Sequence, residues 1–446
     1  MNIPLDNLYH WIQGLAQHPV MLYVFRPHGS KDIFDLDQFE NKMIPYLHDV
    51  IGNIVICHDQ EPLDFDSHQF DHDFDHLKRL LLHRGWTENH LIMEMIFYTN
   101  LSQFSDYKAT WLNVGLKNDY IILLHSEQNS QDVEKFSQEN FLPVYYWSHA
   151  LISRDWYRFA EYDVRLDHRH KEKTFLVYCR DWTPTREYRL KFLDLLISSN
   201  MNDDCIISTQ HINNQGTHLR DYQVQDPTFA VDTNRLLCIP NNDSLSTASA
   251  DYAVNDITTT AVSIVLETVV DSSKIHLTEK ILRPIACSHP FVLLAGPNAL
   301  AYLRNYGFRT FGEFWDESYD QEFDLVRRME LIIQAMQQIQ KLTESDWIKI
   351  NEIAEYNKRH FFSDEFMKQV TEELQTNLNH ATVFCSENRG KTYWKWRKFI
   401  RRSRLIDLAL NSQYFLKDEP SKKSVQELRR VRSRRFFNDP GPIIGQ

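Results

Sequence analysis

Short, uninterrupted apolar runs recur along this chain, with helix-length stretches between them. "VMLYVF" (20–25), "NIVIC" (53–57), "DYIILLH" (119–125) and "LPVYYW" (142–147) open the series, and "HLIMEMIFYTN" (90–100) is a further candidate. Apolar runs of this length that do not alternate with polar residues read as strands covered on both faces, the condition of a parallel sheet. Strands that alternate with segments such as "SHQFDHDFDHLKRLLLHRG" predict an α/β fold.

The pattern restarts after residue 170. "KTFLVYCRDW" reads as a strand that leaves the polar run "RLDHRHKEK", and "REYRLKFLDLLIS" as a helix with a broad apolar face. "DCIIS", "RLLCIP", "AVSIVLETV" and "HPFVLLA" read as further strands, and "LTEKILRPIAC" as a helix. "PNALAYLRNYG" reads as a helix with a proline start and a glycine stop, and long helices are predicted from Gln321 to Leu378. A length of 446 residues suits two domains plus an extension. The predicted architecture is therefore α/β. Two Rossmann-like domains, residues 1–165 and 172–365, are joined around "SRDWYRFAEYDVRLDHRH", and a helical, basic extension occupies 366–446. Residues 203–256 are rich in Asn, Asp, Thr and Ser, which predicts long loops.

Hydrophobic residues make up 42% and charged residues 25%, which excludes general disorder. Only 12 glycines occur, so no glycine-rich phosphate loop dominates. Six cysteines (Cys57, Cys179, Cys205, Cys238, Cys287 and Cys385) form no C-x-x-C pair and sit mostly in apolar runs, predicting buried free thiols in a reducing compartment. The first twenty residues lack the basic start and continuous apolar stretch of a signal peptide, and no run approaches the roughly 18 apolar residues of a membrane span. A cytoplasmic location is expected.

The most informative stretch is "SIVLETVVDSSKIHLTEKILRPIACSHPFVLLAGPNALAYLRNYGF". It reads as strand, polar loop, helix, strand, helix. The strand ends at Glu267, the loop supplies Asp271, Ser272 and Ser273, and Thr278 is placed to cap the next helix. The backbone N–H groups that follow are free to face an anion, with Lys280 in the same turn. A carboxylate at a strand's carboxyl end, across a loop from a helix N-terminus, is where an open α/β sheet binds a nucleotide.

This stretch resembles the donor-binding core of family-10 fucosyltransferases, loosely "F-E-N-S … Y-x-T-E-K-L … A … P-V". The matching residues are Glu267, Thr278, Glu279, Lys280, Ala286 and Pro290, while "LETVVDSS" stands where "FENS" is expected. The resemblance implies that Glu267 contacts the ribose or base side and that Glu279 and Lys280 serve the nucleotide. "FLVYCRDWTPTREYRLKFLDLL" is similar to the same family's strand "SNC-x-x-R-x-x-R" with its following helix, making Arg180, Arg186 and Arg189 candidate phosphate ligands. Solvation of a helix face is the alternative for Arg186 and Arg189. The implied fold is GT-B, two Rossmann-like domains facing across a cleft, and the implied donor is a UDP- or GDP-sugar with no cofactor required. "YGFRTFGEFWDESYD", "HDQEPL" and "YYWSHALISRDWYR" look like uncharacterised transferase-like proteins of bacteriophages and cyanobacteria, which would place the chain in a bacterial host's cytoplasm. Asp316, Glu317 and Tyr319 are then candidates to line the cleft, with helix packing as the alternative.

Transferases of this kind neutralise the leaving diphosphate with Arg, Lys and helix N-termini. Asp64, Asp66, Asp71, Asp73 and Asp75 alternate with His68, His72 and His76 in one acidic stretch. A metal site and a solvated acidic loop are both readings of it; the second is favoured, and no metal ligand is assigned. Inverting transfer needs one general base near the acceptor hydroxyl. Two strands of the first half end suitably: Asp59 and Glu61 follow "NIVICH", and Glu127 follows "YIILLHS". Loop capping is the alternative for each.

Charge is unevenly placed. Residues 389–446 hold 16 basic and 5 acidic groups, a net of +11, and the first 388 residues hold 33 and 56, a net of −23. The basic tail interleaves Lys395, Arg397, Lys398, Arg401 and Arg402 with Trp394, Trp396 and Phe399. Binding to double-stranded DNA, attachment to an anionic membrane, and bracing of the acidic body all remain open. The DNA reading takes a specific form, since some resembling phage enzymes glycosylate 5-hydroxymethylcytosine, one class with arabinose. Synthesis of a surface or lipid-linked glycan is a second function, and an inert fold serving as a DNA- or partner-binding module is a third.

Overall fold

The computed structural model describes residues 20–25, 53–58, 121–131, 134, 144–182, 186–213, 216–241 and 251–388. Four strands come first: β1 (Val20–Phe25), β2 (Asn53–His58), β3 (Ile121–His125) and β4 (Val144–Tyr146). They form one parallel sheet in sequence order. A short helix, α1 (Ala150–Trp156), and two 3-10 turns (Arg158–Glu161 and Val164–Asp167) lead to the second sheet.

That sheet contains β5 (Lys173–Cys179), β6 (Cys205–Thr209), β7 (Thr260–Leu266) and β8 (Phe291–Leu294), all parallel, in the order β6-β5-β7-β8. Its helices are α2 (Tyr188–Ser198), α3 (Thr233–Leu236), α4 (Val254–Thr259), α5 (Glu279–Ala286) and α6 (Ala299–Asn305). Three long helices follow: α7 (Leu325–Ile339), α8 (Glu344–Phe362) and α9 (Asp364–Asn388). The chain is thus α/β with parallel sheets and flanking helices. Both sheets belong to one compact unit.

Burial explains why unbroken apolar runs became the central strands. Phe175, Leu176, Val177 and Cys179 of β5 are buried, as is every residue of β8, so helices cover both faces of this sheet. Tyr188, Leu190, Phe192, Leu193 and Leu196 bury α2 on several sides. Local caps set the later helices. Asp324 accepts from the Arg327 amide at 2.7 Å to start α7, and Thr343 with Asp346 forms a reciprocal capping box on α8. Gly307, at φ 88°, ends α6 as its place in the sequence predicts.

Two sequence expectations are corrected, one on "RLLCIP" and one on the burial of the cysteines. "RLLCIP" is not a strand: the Asp232 side chain accepts from the amides of Asn234 and Arg235, capping α3, while Leu236 and Ile239 turn inward. The joint at 153–170 is packed, with Trp156, Tyr157, Ala160 and Leu166 buried and Arg169 donating to the carbonyls of Cys287 and Ser288. Among the described cysteines Cys179 and Cys287 are buried, Cys205 is half-buried and Cys238 is exposed; all four are free thiols. No helix among the described residues is long and apolar enough to cross a membrane.

Candidate functional site

The strand order of the second sheet fixes where a ligand crevice would open. The chain runs from β5 outward to β6, then crosses back past β5 to β7 and on to β8. The order therefore reverses between β5 and β7. In open α/β sheets ligands bind outside the carboxyl ends of the strands at such a reversal. Arg180 and Asp181 follow β5 here, and Glu267 and Thr268 follow β7.

Glu267 is fully buried, and its carboxyl oxygens accept from the Thr278 amide at 3.0 Å and the Thr278 hydroxyl at 2.7 Å. Thr278 Oγ1 in turn accepts from the Lys280 amide at 3.2 Å, so it caps α5 as predicted. Lys280 Nζ reaches Glu279 Oε1 at 2.9 Å and Thr278 Oγ1 at 3.2 Å, and is about a quarter exposed, at 26%. Burial pushes the Glu267 carboxyl up to about 7; nearby Lys280 opposes this and Glu279 adds to it. Glu267 thus positions the start of α5 from within. The sequence resemblance implies a ribose or base contact for this residue; in the structure its carboxyl group is turned inward to Thr278. Lys280 is the member of the set that reaches the surface.

The arginines separate by environment. Arg180 is exposed just past β5. Arg186 is about a quarter exposed and donates to Asp181 Oδ2 at 2.5 Å. Arg189 is buried, and donates to the carbonyls of Asp181 at 2.7 Å and Leu266 at 3.0 Å, with Glu267 at 3.5 Å. The Tyr188 hydroxyl also donates to the Glu267 carbonyl. Arg189 therefore ties the ends of β5 and β7 together and is corrected from phosphate ligand to structural clamp. Its buried guanidinium needs acceptors, and the strand ends offer carbonyls with no ladder partner.

A second polar group lies where the segment after β3 meets the loop before α5. Gln128 and Ile275 exchange two backbone hydrogen bonds, of 2.7 and 2.8 Å. Glu127 Oε2 lies 3.4 Å from Lys274 Nζ and accepts from Ser130 Oγ at 3.1 Å. Ser126 Oγ is 2.8 Å from His276 Nε2 and 3.1 Å from His149 Nε2, and the two imidazoles meet edge to face at 5.2 Å. Ser126, Glu127, His149, Lys274 and His276 are all buried. Of these only Glu127 was singled out by sequence, for its place after a strand. No local pattern marks Lys274, Ser126 or either histidine, because the two segments lie 150 residues apart.

The base of the same loop is fixed from two sides. Arg328 of α7, itself buried, donates to the carbonyls of Val270 at 2.9 Å and Ala295 at 2.6 Å. A Cβ on Gly296 would lie 2.5 Å from the Lys274 carbonyl oxygen and 2.8 Å from that of Asp271, so the loop backbone rests where only glycine fits.

The three residues read as cleft candidates make local contacts. Glu317 accepts from the Phe311 amide and the Thr310 hydroxyl, both at 2.8 Å; Asp316 accepts from the amide and hydroxyl of Ser318; and Tyr319 is buried. Beside them Asp320 Oδ1 accepts from the Leu300 amide at 2.9 Å, capping α6 from the 3-10 turn Ser318–Gln321. Asp59 and Glu61 lie outside the described residues, as do the acidic stretch 64–76 and Lys395, Arg397, Lys398, Arg401 and Arg402. Among the described residues no group of three or more His, Cys, Asp and Glu side chains could hold a metal ion. No protein-family model, curated protein or solved structure matches the chain.

Proposed function

We propose that the chain is an inverting glycosyltransferase of GT-B type that binds a UDP- or GDP-sugar at the carboxyl end of its second sheet. One observation carries this reading. Where the strand order reverses, β7 leads through a polar loop into a helix whose N-cap, Thr278, is held by a buried carboxyl group and whose first turn carries the partly exposed Lys280. A helix N-terminus with a lysine beside it attracts a diphosphate and stabilises it as a leaving group. In the transfer, a carboxylate takes the proton of the acceptor hydroxyl. The acceptor oxygen bonds to the anomeric carbon, and the bond to the diphosphate breaks with its electron pair. Asp59, Glu61 and Glu127 are the candidate bases.

The acceptor we propose is 5-hydroxymethylcytosine in double-stranded DNA, engaged through the basic residues of 389–446. It is supported by the net of +11 in that segment and its interleaved aromatics. A base inside a duplex must be turned out of the stack to be glycosylated.

The test is a thermal-shift panel of UDP, GDP, CDP and ADP with EDTA present, with and without duplex DNA containing 5-hydroxymethylcytosine. A diphosphate at about 100 times its dissociation constant adds about 2.7 kcal/mol of stability. A shift with UDP or GDP, and a further shift with the DNA, is the expected outcome. No shift with any nucleotide overturns the donor site, and no response to DNA moves the acceptor to a glycan.

A further inference from the structure

Each strand of the first sheet ends on a residue with a planar ring. Phe25, His58, His125 and Tyr146 are the last residues of β1, β2, β3 and β4. The register makes them lateral partners: Phe25 pairs with His58, His58 with His125, and His125 with Tyr146. Neighbouring strands lie about 4.8 Å apart, and lateral partners in a parallel sheet share a face. The four residues therefore form one row, on one face, across the width of the sheet. One level down the row reads Val24, Cys57, Leu124 and Tyr145, and the next reads Tyr23, Ile56, Leu123 and Val144, with a single ring in each. Among the described pairs only the last level is all rings. Packing alone does not select such a level, because an imidazole brings ring nitrogens that need partners and an aliphatic side chain brings none.

Two neighbours locate the row. At its β4 end the Tyr146 and Tyr302 hydroxyls are hydrogen-bonded and their rings meet edge to face at 6.4 Å, so the face that carries the row is the one that meets α6. Directly after His125, Ser126 Oγ lies 2.8 Å from His276 Nε2, and Gln128 pairs with Ile275. Both partners belong to the loop that leads to Thr278 and Lys280. The row thus begins one residue from the contact with the proposed donor loop, where a transferase needs its acceptor, since the two reacting groups must be held together.

We infer that the row Phe25–His58–His125–Tyr146 is a stacking platform for a planar heterocycle, and that its ligand is a nucleobase turned out of a duplex. This rests on the DNA-acceptor reading above and gives the acceptor a place in the fold. Every base has a π face, so a row of rings accepts a base by stacking, and a base turned out of the helix has lost its own stacking neighbours. A glycan acceptor offers no aromatic face.

The test is calorimetric titration of the full chain with deoxycytidine and 5-hydroxymethyldeoxycytidine, with methyl glucoside as the probe that lacks a planar ring. Neither nucleoside carries a phosphate, so the basic tail adds nothing and affinity should not change with salt. His125→Leu and Phe25→Leu each remove a ring and keep apolar bulk. Each should weaken both nucleosides by about tenfold, the loss of one stacking partner. His125→Phe and Phe25→Tyr keep a ring and should bind within about threefold of the wild type. Should His125→Leu fail to fold, Phe25→Leu, two strands away, carries the same test. Unchanged affinity in the leucine variants overturns the platform, as does a wild type that binds neither nucleoside or binds methyl glucoside equally well. If His125→Phe binds as weakly as His125→Leu, a ring nitrogen and not a ring face holds the ligand, and the stacking inference falls. The platform fails alone when duplex DNA containing 5-hydroxymethylcytosine shifts the melting temperature but the leucine variants keep their nucleoside affinity. The DNA-acceptor reading fails separately, when nucleosides bind in a ring-dependent way yet that duplex gives no shift.

Discussion

Glu267 is sealed from water with Glu279 close by, and so keeps its proton up to about pH 7, against 4.5 for an ordinary glutamate. The sign of its effect on stability follows. Between pH 4.5 and 7 the unfolded chain has released this proton and the folded chain has not, so stability falls as pH rises through that window. A glutamine at 267 keeps an acceptor for the Thr278 amide and cannot ionise. Measured against Glu267→Gln by urea unfolding, the wild type should lose roughly 3 kcal/mol of stability from pH 4.5 to 7. Parallel curves for the two proteins would show that the carboxyl group titrates normally. Lys280 has the opposite character: it is a quarter exposed, and its ammonium bonds to Glu279 and Thr278 beside it. Lys280→Ala should leave the melting temperature within a few degrees of wild type. It should weaken UDP or GDP binding by about tenfold, the worth of one hydrogen bond to a charged group. Equal calorimetric affinity in the two proteins would remove Lys280 from the site.

At the scale of elements, the loop between β7 and α5 depends on a neighbour that its own sequence does not reveal. Gly296→Ala would set a methyl group 2.5 Å from one backbone oxygen and 2.8 Å from another, neither of which a side-chain rotation can relieve. The loop must shift, so the variant should lose about 1–3 kcal/mol of stability and should bind nucleotide less well than the wild type. Full affinity with normal stability would mean that the loop's seat is not needed by the site. This is also the scale at which sequence reading divides. β1 to β8 were legible because each is an unbroken apolar run, and Thr278 was legible because an N-cap acts on the residues immediately after it. "RLLCIP" carried the same apolar signal, but Asp232 caps a short helix that takes up its first two residues, a local competition that strand propensity overlooks. The clamp made by Arg189 and the pairing of 126–128 with 274–276 were hidden for another reason. Both join segments distant in sequence, and a polar side chain's type does not say whether it will meet a ligand or the protein's own groups.

For the whole molecule, the uneven charge is the property that the described residues do most to interpret. Among the described side chains of α9, Phe366, Val370, Leu374 and Leu378 are buried, all of them before the basic run begins. Removing residues 391–446 therefore takes away none of the described core, while the chain that remains passes from a net of −12 to −22, because the deleted segment carries nearly all of the tail's positive charge. Two of the tail's readings then predict different measurements on the same truncated protein. If the tail engages DNA, its lysines and arginines release counterions from the phosphates. The full-length protein should then show a steep fall of log affinity with log salt, with a slope of about −0.9 for each phosphate contacted. The truncated protein should bind weakly and almost without salt dependence, and its melting temperature should stay near that of the full chain. If the tail braces the acidic body instead, truncation should lower the melting temperature at low salt, where attraction between opposite charges is least screened. In that case full-length and truncated proteins should share the same weak affinity for DNA. A salt-dependent loss of DNA binding at constant melting temperature is the outcome expected of a transferase whose acceptor is a base in duplex DNA.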